Sequence, residues 1–227
     1  MDNQNCESFY QDENTRVKNF NELLLQNEDS EVLLKYIIAT VEYIPISLPT
    51  IQYFSEYMTN NDDANTIFAY CCRRCEIDVL VHLLNNYQID RDRYFPIKMA
   101  ILSNNLDTIK FLINEGFNIH MHNNNILMIA GYRCSNDIID YFLDIGLVIT
   151  DEVIKFNIFK PLTLKLFIAR GIDPERISHF FWEHLEKNPS IMATLELLVG
   201  SGVDINRSID QYRSNKSVMK NILSEPK

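Results

Sequence analysis

The sequence predicts an all-α fold, a helical-repeat solenoid of stacked antiparallel helix pairs, and three observations carry that expectation. Residues 95–116, FPIKMAILSNNLDTIKFLINEG, are followed by a looser copy, NILMIAGYRCSNDIIDYFLDIG, which closes at Gly146, thirty residues later. Each copy has a short apolar segment, a polar break, a second apolar segment and a terminal glycine. Apolar residues recur at helical spacing beyond this pair as well, as in EVLLKYIIATVEY. Finally, of only six glycines, four (Gly116, Gly146, Gly171 and Gly202) fall at one place in successive copies. The residue just past a helix end often adopts a left-handed conformation that penalises a Cβ, so glycine there marks a helix stop. A helix pair of this kind cannot bury both apolar faces alone and must stack on neighbours like itself.

In order along the chain, residues 1–20 are polar without a sustained period and read as a flexible or loosely docked acidic lead-in. Residues 21–60 read as an N-terminal helical cap. Within it, Asp29-Ser30-Glu31 offers a cap to EVLLKYIIATVEY, which must end before Ile44-Pro45, and a second helix begins near Ser47 with Pro49 in its first turn. TNNDDAN then reads as a polar break. Residues 61–206 hold the repeats, with first and second helices TIFAYCCRR and EIDVLVHLLNNY, FPIKMAILS and NLDTIKFLINEG, ILMIAGYRC and NDIIDYFLDIG, an abbreviated DEVIKFNIFK and PLTLKLFIARG, and ERISHFFWEHLEK and SIMATLELLVGSG. From Tyr87 through the four closing glycines the intervals are 29, 30, 25 and 31 residues, so helices are kept while connectors vary. Residues 207–227 read as an amphipathic capping helix and tail, which an open array end requires.

Composition narrows the function classes. With 46% hydrophobic and 11% aromatic residues the chain has material for a core, expected as one structured body with two tails. Its net charge of -10 disfavours non-specific attraction to nucleic acid or anionic membrane, and half of that excess lies in the first thirty residues. No apolar run approaches the ~20 residues that cross a bilayer, and MDNQNCESFY lacks the basic start and apolar centre of a signal peptide. A chain without membrane spans, cytoplasmic or nuclear, is expected. Five cysteines are an odd number and read as reduced thiols.

The repeat units resemble the ankyrin repeat, whose unit of about 33 residues has a TPLHxA-like first helix and a second helix closing in Gly and an A-D-V-N-like segment. In the unit around residue 100, Phe95-Pro96 stands for the Thr-Pro, Lys98 for the His and Ala100 for the small inward residue, while Leu106-Asp107 opens the second helix. Gly202-Val203-Asp204-Ile205-Asn206 matches the trailing segment. The likeness covers residues 64–206 and departs from the family in lacking an intact Thr-Pro-Leu-His box, in its shorter connecting fingers and in Lys155 at a small-residue position. Richness in Asn, Ile, Lys and Tyr is similar to the ankyrin-repeat proteins that large DNA viruses encode.

Chemistry is sparse. Cys71-Cys72-Arg73-Arg74-Cys75 contains C-x-x-C, but there is no second such pair for a four-ligand site, and small buried thiols account for the positions. His120 and His122, or His179 and His184, do not have the H-E-x-x-H spacing. No nucleophile elbow, P-loop or dinucleotide turn is present. No enzyme, metal or cofactor is therefore expected. Phe180-Phe181-Trp182 must point in different directions around one helix, so that at least one is expected to be only partly buried, and their uses are the core, a C-terminal contact patch or a docking site for the tail.

What the resemblance implies is a non-catalytic protein–protein interaction module whose concave groove is lined by first helices and fingers. Carried onto this chain, the partner-binding residues are Arg73, Arg74, Arg91, Tyr94, His122, Tyr132 and Arg133. Arg and Tyr at such positions supply contact area and directional hydrogen bonds, and the partner expected is a host or viral protein with acidic or aromatic anchors. Two alternatives stand beside this one: a basic groove that sequesters a small anionic ligand or nucleic acid segment, and a cysteine-dependent enzyme.

Overall fold

The structure, a computed structural model, describes residues 12–26, 29–58, 60–120, 125–133, 136–185 and 191–224, with side chains of the last helix as far as Ser214. Every regular element among these residues is a helix. The chain divides into two compact units, Met1–His122 and Asn123–Lys227, where one structured body was expected. The two best-matched sequence copies thus lie in different units.

The first unit contains α1 (Glu13–Leu25), α2 (Ser30–Tyr43), α3 (Leu48–Ser55), α4 (Asn61–Arg74), α5 (Ile77–Asn86), α6 (Tyr94–Leu102) and α7 (Leu106–Asn114). The first helices α2, α4 and α6 stack in a row, α3 packs on α5, and α1 lies against α2. The N-terminal cap is therefore a helix pair in step with the repeats. Two expectations are corrected here. Residues 13–20 are not a flexible lead-in but the start of α1, capped by Asp12 and anchored by Phe20, which is fully buried among Tyr36, Tyr53, Phe54 and Tyr57. Glu13 fastens the same helix by accepting from the Ser47 amide (2.8 Å) and hydroxyl (2.6 Å). The presumed break TNNDDAN mostly belongs to α4: Asn60 caps it, Asp62 and Asp63 favour its first turn, and Ala64 and Asn65 are buried. Asn65 Oδ1 also accepts the Asp90 amide at 2.8 Å, joining α4 to the connector before α6.

The second unit contains α8 (Asn125–Arg133), α9 (Asn136–Asp144), α10 (Asp151–Phe156), α11 (Pro161–Ala169), α12 (Pro174–Leu185), α13 (Met192–Gly200) and α14 (Ile205–Ser224). Its first helices α8, α10 and α12 stack in a row, α11 packs on α13, and α14 covers α12. α14 starts at Ile205, two residues before the expected boundary, with Asp204 accepting the Arg207 amide. Phe180, Phe181 and Trp182 are all buried, where at least one was expected to be only partly so, and Trp182 Nε1 donates to Ser208 Oγ at 2.7 Å, so this run serves both the core and the docking of the final helix.

The glycine stops are as the sequence predicts. Gly116, Gly146, Gly171 and Gly202 have φ of 84°, 98°, 93° and 86°. At each, two hydrogen bonds close the helix: the glycine amide to the carbonyl three residues back, and the next amide to the carbonyl five back, as in Phe117 N to Leu112 O at 3.0 Å. The residue after the glycine is apolar every time, and Phe117, Leu147 and Val203 are buried. Phe117 stacks on Phe68 at 5.4 Å with planes 6° apart, which locks α7's end against α4. α5 closes differently, at Tyr87 with extended backbone, and the Tyr87 hydroxyl donates to Ser55 O at 2.8 Å.

Candidate interaction surface

Helix ends present backbone carbonyls that attract basic side chains, and in the first unit two of the three expected partner-binding arginines, Arg74 and Arg91, are used that way. Arg74 Nε donates to Glu42 O at 3.1 Å, tying the end of α4 to the end of α2, while Arg73 is half-buried beside it. Arg91 Nε donates to Glu115 O at 2.7 Å and so closes α7. Tyr94, expected at a finger tip, is the first residue of α6 and half-buried, and burial raises its phenol pKa above the ordinary value. His120 is exposed; His122 lies outside the described residues. Arg91→Ala is therefore expected to lower stability by about 0.5–1 kcal/mol in urea titrations, the scale of an exposed charged contact, and to leave partner binding unchanged.

The second unit differs. At the end of α8, Tyr132 is 44% exposed, with Phe156 (45%) against it and Leu162 (75%) lining the same cleft, and Phe159 (42%), next to Lys160 in the chain, is open as well. Tyr132 meets Phe156 edge-on at 5.8 Å between centroids, and Phe159 meets His184, at the end of α12, at 5.9 Å. Two cations flank the Tyr132 ring: Lys160 Nζ at 4.1 Å and Arg133 Cζ at 5.6 Å from its centroid. Gly131, Tyr132, Arg133, Asn136, Lys160, Pro161, Leu162 and Thr163 line a cleft of about 430 Å³ there.

The shortness of α10 creates this patch. Asn157 is fully buried, and its Nδ2 donates to Val153 O (2.9 Å) and to Met128 O on α8 (3.4 Å). Ending α10 at Phe156 turns Ile158 inward, where it is fully buried, and leaves Phe159 outward. Thr163 Oγ1 donates to Gly131 O at 2.6 Å, which sets the start of α11 against the end of α8 and brings Lys160 over Tyr132.

Charge pairing separates this patch from Arg170 and Arg176 of the same unit. Arg170 bridges Asp140 (2.5 Å) and Asp144 (2.7 Å), and Arg176 holds Asp151 at 2.6 Å. Arg133 and Lys160 have no carboxylate partner among the described residues. A second cleft, about 370 Å³ between α12 and α14, is already knitted together: its Arg176 is paired, and Ser208 Oγ donates to Ser178 Oγ at 2.8 Å.

Cys71, Cys72 and Cys75 are buried free thiols. The hydrogen bond to Cys75 and burial hold the Cys71 thiol well above its usual pKa, burial does the same for Cys72, and only Cys75, which receives the Cys71 hydrogen bond, is lowered. This is packing chemistry rather than an exposed thiolate. Cys134 lies outside the described residues. No group of three metal-ligating side chains occurs among the described residues, and none of their helices is long and apolar enough to cross a membrane.

Sequence reasoning reached Tyr132 and Arg133 but missed Phe156, Phe159, Lys160 and Leu162. The available signal was the 25-residue interval of the fifth unit, which marks the place where connector and first helix are both shortened. No curated protein and no solved structure matches the chain. Residues 68–152 match the family model for ankyrin repeats, in three copies, and with the helix pairs on either side they give this chain an all-α helical-repeat fold.

Proposed function

We propose that this protein is a non-catalytic protein-interaction module whose partner-facing surface centres on the first-helix ends of the second unit, at Tyr132, Arg133, Phe156, Phe159 and Lys160. Ankyrin repeats are in general protein–protein interaction modules, and the observation that carries the assignment to this surface is the cluster of exposed aromatics flanked by two cations without carboxylates, on a chain of net charge -10. Tyr and Arg in such clusters supply most of the binding energy at protein interfaces. Composition supports a viral source, and with it a host or viral protein as partner. Of the described residues expected in the first unit, Arg73 is the one whose side chain is least committed to the fold, since Arg74 and Arg91 hold carbonyls and Tyr94 is half-buried in α6.

Affinity capture from cell lysate tests the reading. Tyr132→Ala combined with Phe159→Ala is expected to reduce the captured protein by about tenfold or more, from the loss of one or two hot spots of about 2 kcal/mol each. Undiminished capture by a folded double variant places the surface elsewhere.

A further inference from the structure

We propose that the occupant of the Tyr132 cleft is an acidic, hydrophobic peptide segment, with a carboxylate seated between Arg133 and Lys160 and an adjacent aliphatic or aromatic side chain on Tyr132, Pro161 and Leu162. This rests on the interaction reading just given and specifies its chemistry.

The argument is one of charge complementarity. Both cationic heads lie within 6 Å of one ring centroid, at 4.1 and 5.6 Å. Two positive charges gathered about one ring leave a positive site that the ring neutralises only in part, since an exposed cation–π contact is weak. A carboxylate is drawn to that site and, with Arg, allows a two-pronged hydrogen bond. Arg170 and Arg176 hold carboxylates from within the chain, whereas Arg133 and Lys160 are two cations gathered on one aromatic ring without such a partner among the described residues, which is where an external carboxylate fits. The floor is apolar: Leu162 is three-quarters exposed and sits next to Pro161, so a bare anion leaves it uncovered, whereas a peptide side chain covers it. Asn136 at the cleft edge offers an amide to a peptide backbone. Nucleic acid also stacks on aromatics beside cations, but it needs a basic track along its backbone. Here two cations stand on a chain with 31 acidic and 21 basic residues.

The test is fluorescence anisotropy on the full chain at about 0.15 M salt, using a labelled peptide of repeated Glu-Leu-Phe, its Lys-Leu-Phe counterpart, and labelled oligothymidylate. The acidic peptide is expected to bind and the basic peptide not to. Arg133→Glu with Lys160→Glu should weaken the acidic peptide by about tenfold or more, and the same double variant should gain affinity for the basic peptide. That reversal is a result which loss of folding cannot imitate, and a far-ultraviolet circular dichroism melt confirms the fold. Equal binding of both peptides, indifference of the acidic peptide to the double charge reversal, or binding of oligothymidylate in place of the acidic peptide each overturns the proposal. If Tyr132→Ala abolishes lysate capture while excess acidic peptide fails to compete, the interaction surface stands and the acidic class falls.

Discussion

Trp182→Ala should cost about 3–5 kcal/mol, the usual penalty for emptying a buried tryptophan site, and should release α14 from the second unit. The indole is buried against α14, and its Nε1–H is committed to Ser208 Oγ at 2.7 Å, which donates onward to Ser178 Oγ at 2.8 Å. Truncation to alanine removes the packing and breaks this buried chain of hydrogen bonds at its donor end. Trp182→Phe separates the two contributions, because it keeps most of the ring volume and loses only the donor, at about 1–2 kcal/mol. The chain has a single tryptophan, so its fluorescence reports this contact directly. Deleting residues 205–227 should shift the emission to longer wavelength as water reaches the indole. An unshifted spectrum after that deletion would show that α14 is not what covers Trp182.

The second large effect is expected at Gly131. A Cβ there would lie 2.7 Å from both the nitrogen and the oxygen of the Asn157 amide. That amide cannot withdraw, being fully buried and bound to two backbone carbonyls. Helix propensity favours replacing glycine, by up to about 1 kcal/mol for alanine, but overpacking of a core costs about 1–3 kcal/mol and sometimes more. For Gly131→Val the steric cost wins, and a loss of about 3 kcal/mol is expected. Asn157→Ala should restore part of it, since it clears the space and gives up a side chain whose Oδ1 has no hydrogen-bond partner. A double-mutant cycle in urea, followed by Trp182 fluorescence within the same unit, should show a coupling of about 1–3 kcal/mol. Strict additivity would mean that α8 and α10 do not meet through these two residues.

The fold was legible where local chemistry and tertiary packing agree. The four glycine stops could be read because each satisfies a backbone requirement that few other residues meet, and each is followed by an apolar residue that fastens the end. The start of α4 was not legible because Asn60, Asp62 and Asp63 serve a turn as well as they serve a cap and a first helical turn. What decides between the two is the burial of Ala64 and Asn65. α1 was missed over residues 13–20 because a polar stretch with one large anchor, Phe20, has no period to detect.

The candidate site was legible only in part, for a different reason. Arg74 and Arg91 are of the right residue type at helix ends, but a solvent-exposed guanidinium binds the nearest carbonyl, and which carbonyl is nearest depends on how neighbouring helices stack. Phe156, Phe159 and Lys160 come together only because Asn157 ends α10 early, a tertiary event written in one buried amide.

The fifth unit spans 25 residues from Gly146 to Gly171, the shortest of the intervals, yet it closes with the same pair of hydrogen bonds as its neighbours, Gly171 N to Ile168 O and Ile172 N to Phe167 O. Length is thus lost from the connector, four residues between Gly146 and α10 against eight between Gly116 and α8, and from the first helix, while the closing of the second is kept. In such an array insertions and deletions fall on the part that decides what is displayed, and the hydrogen-bonded stops that set one unit upon the next are spared. New binding specificity is then reachable by changes of length alone, with the stacking of the helices left in place.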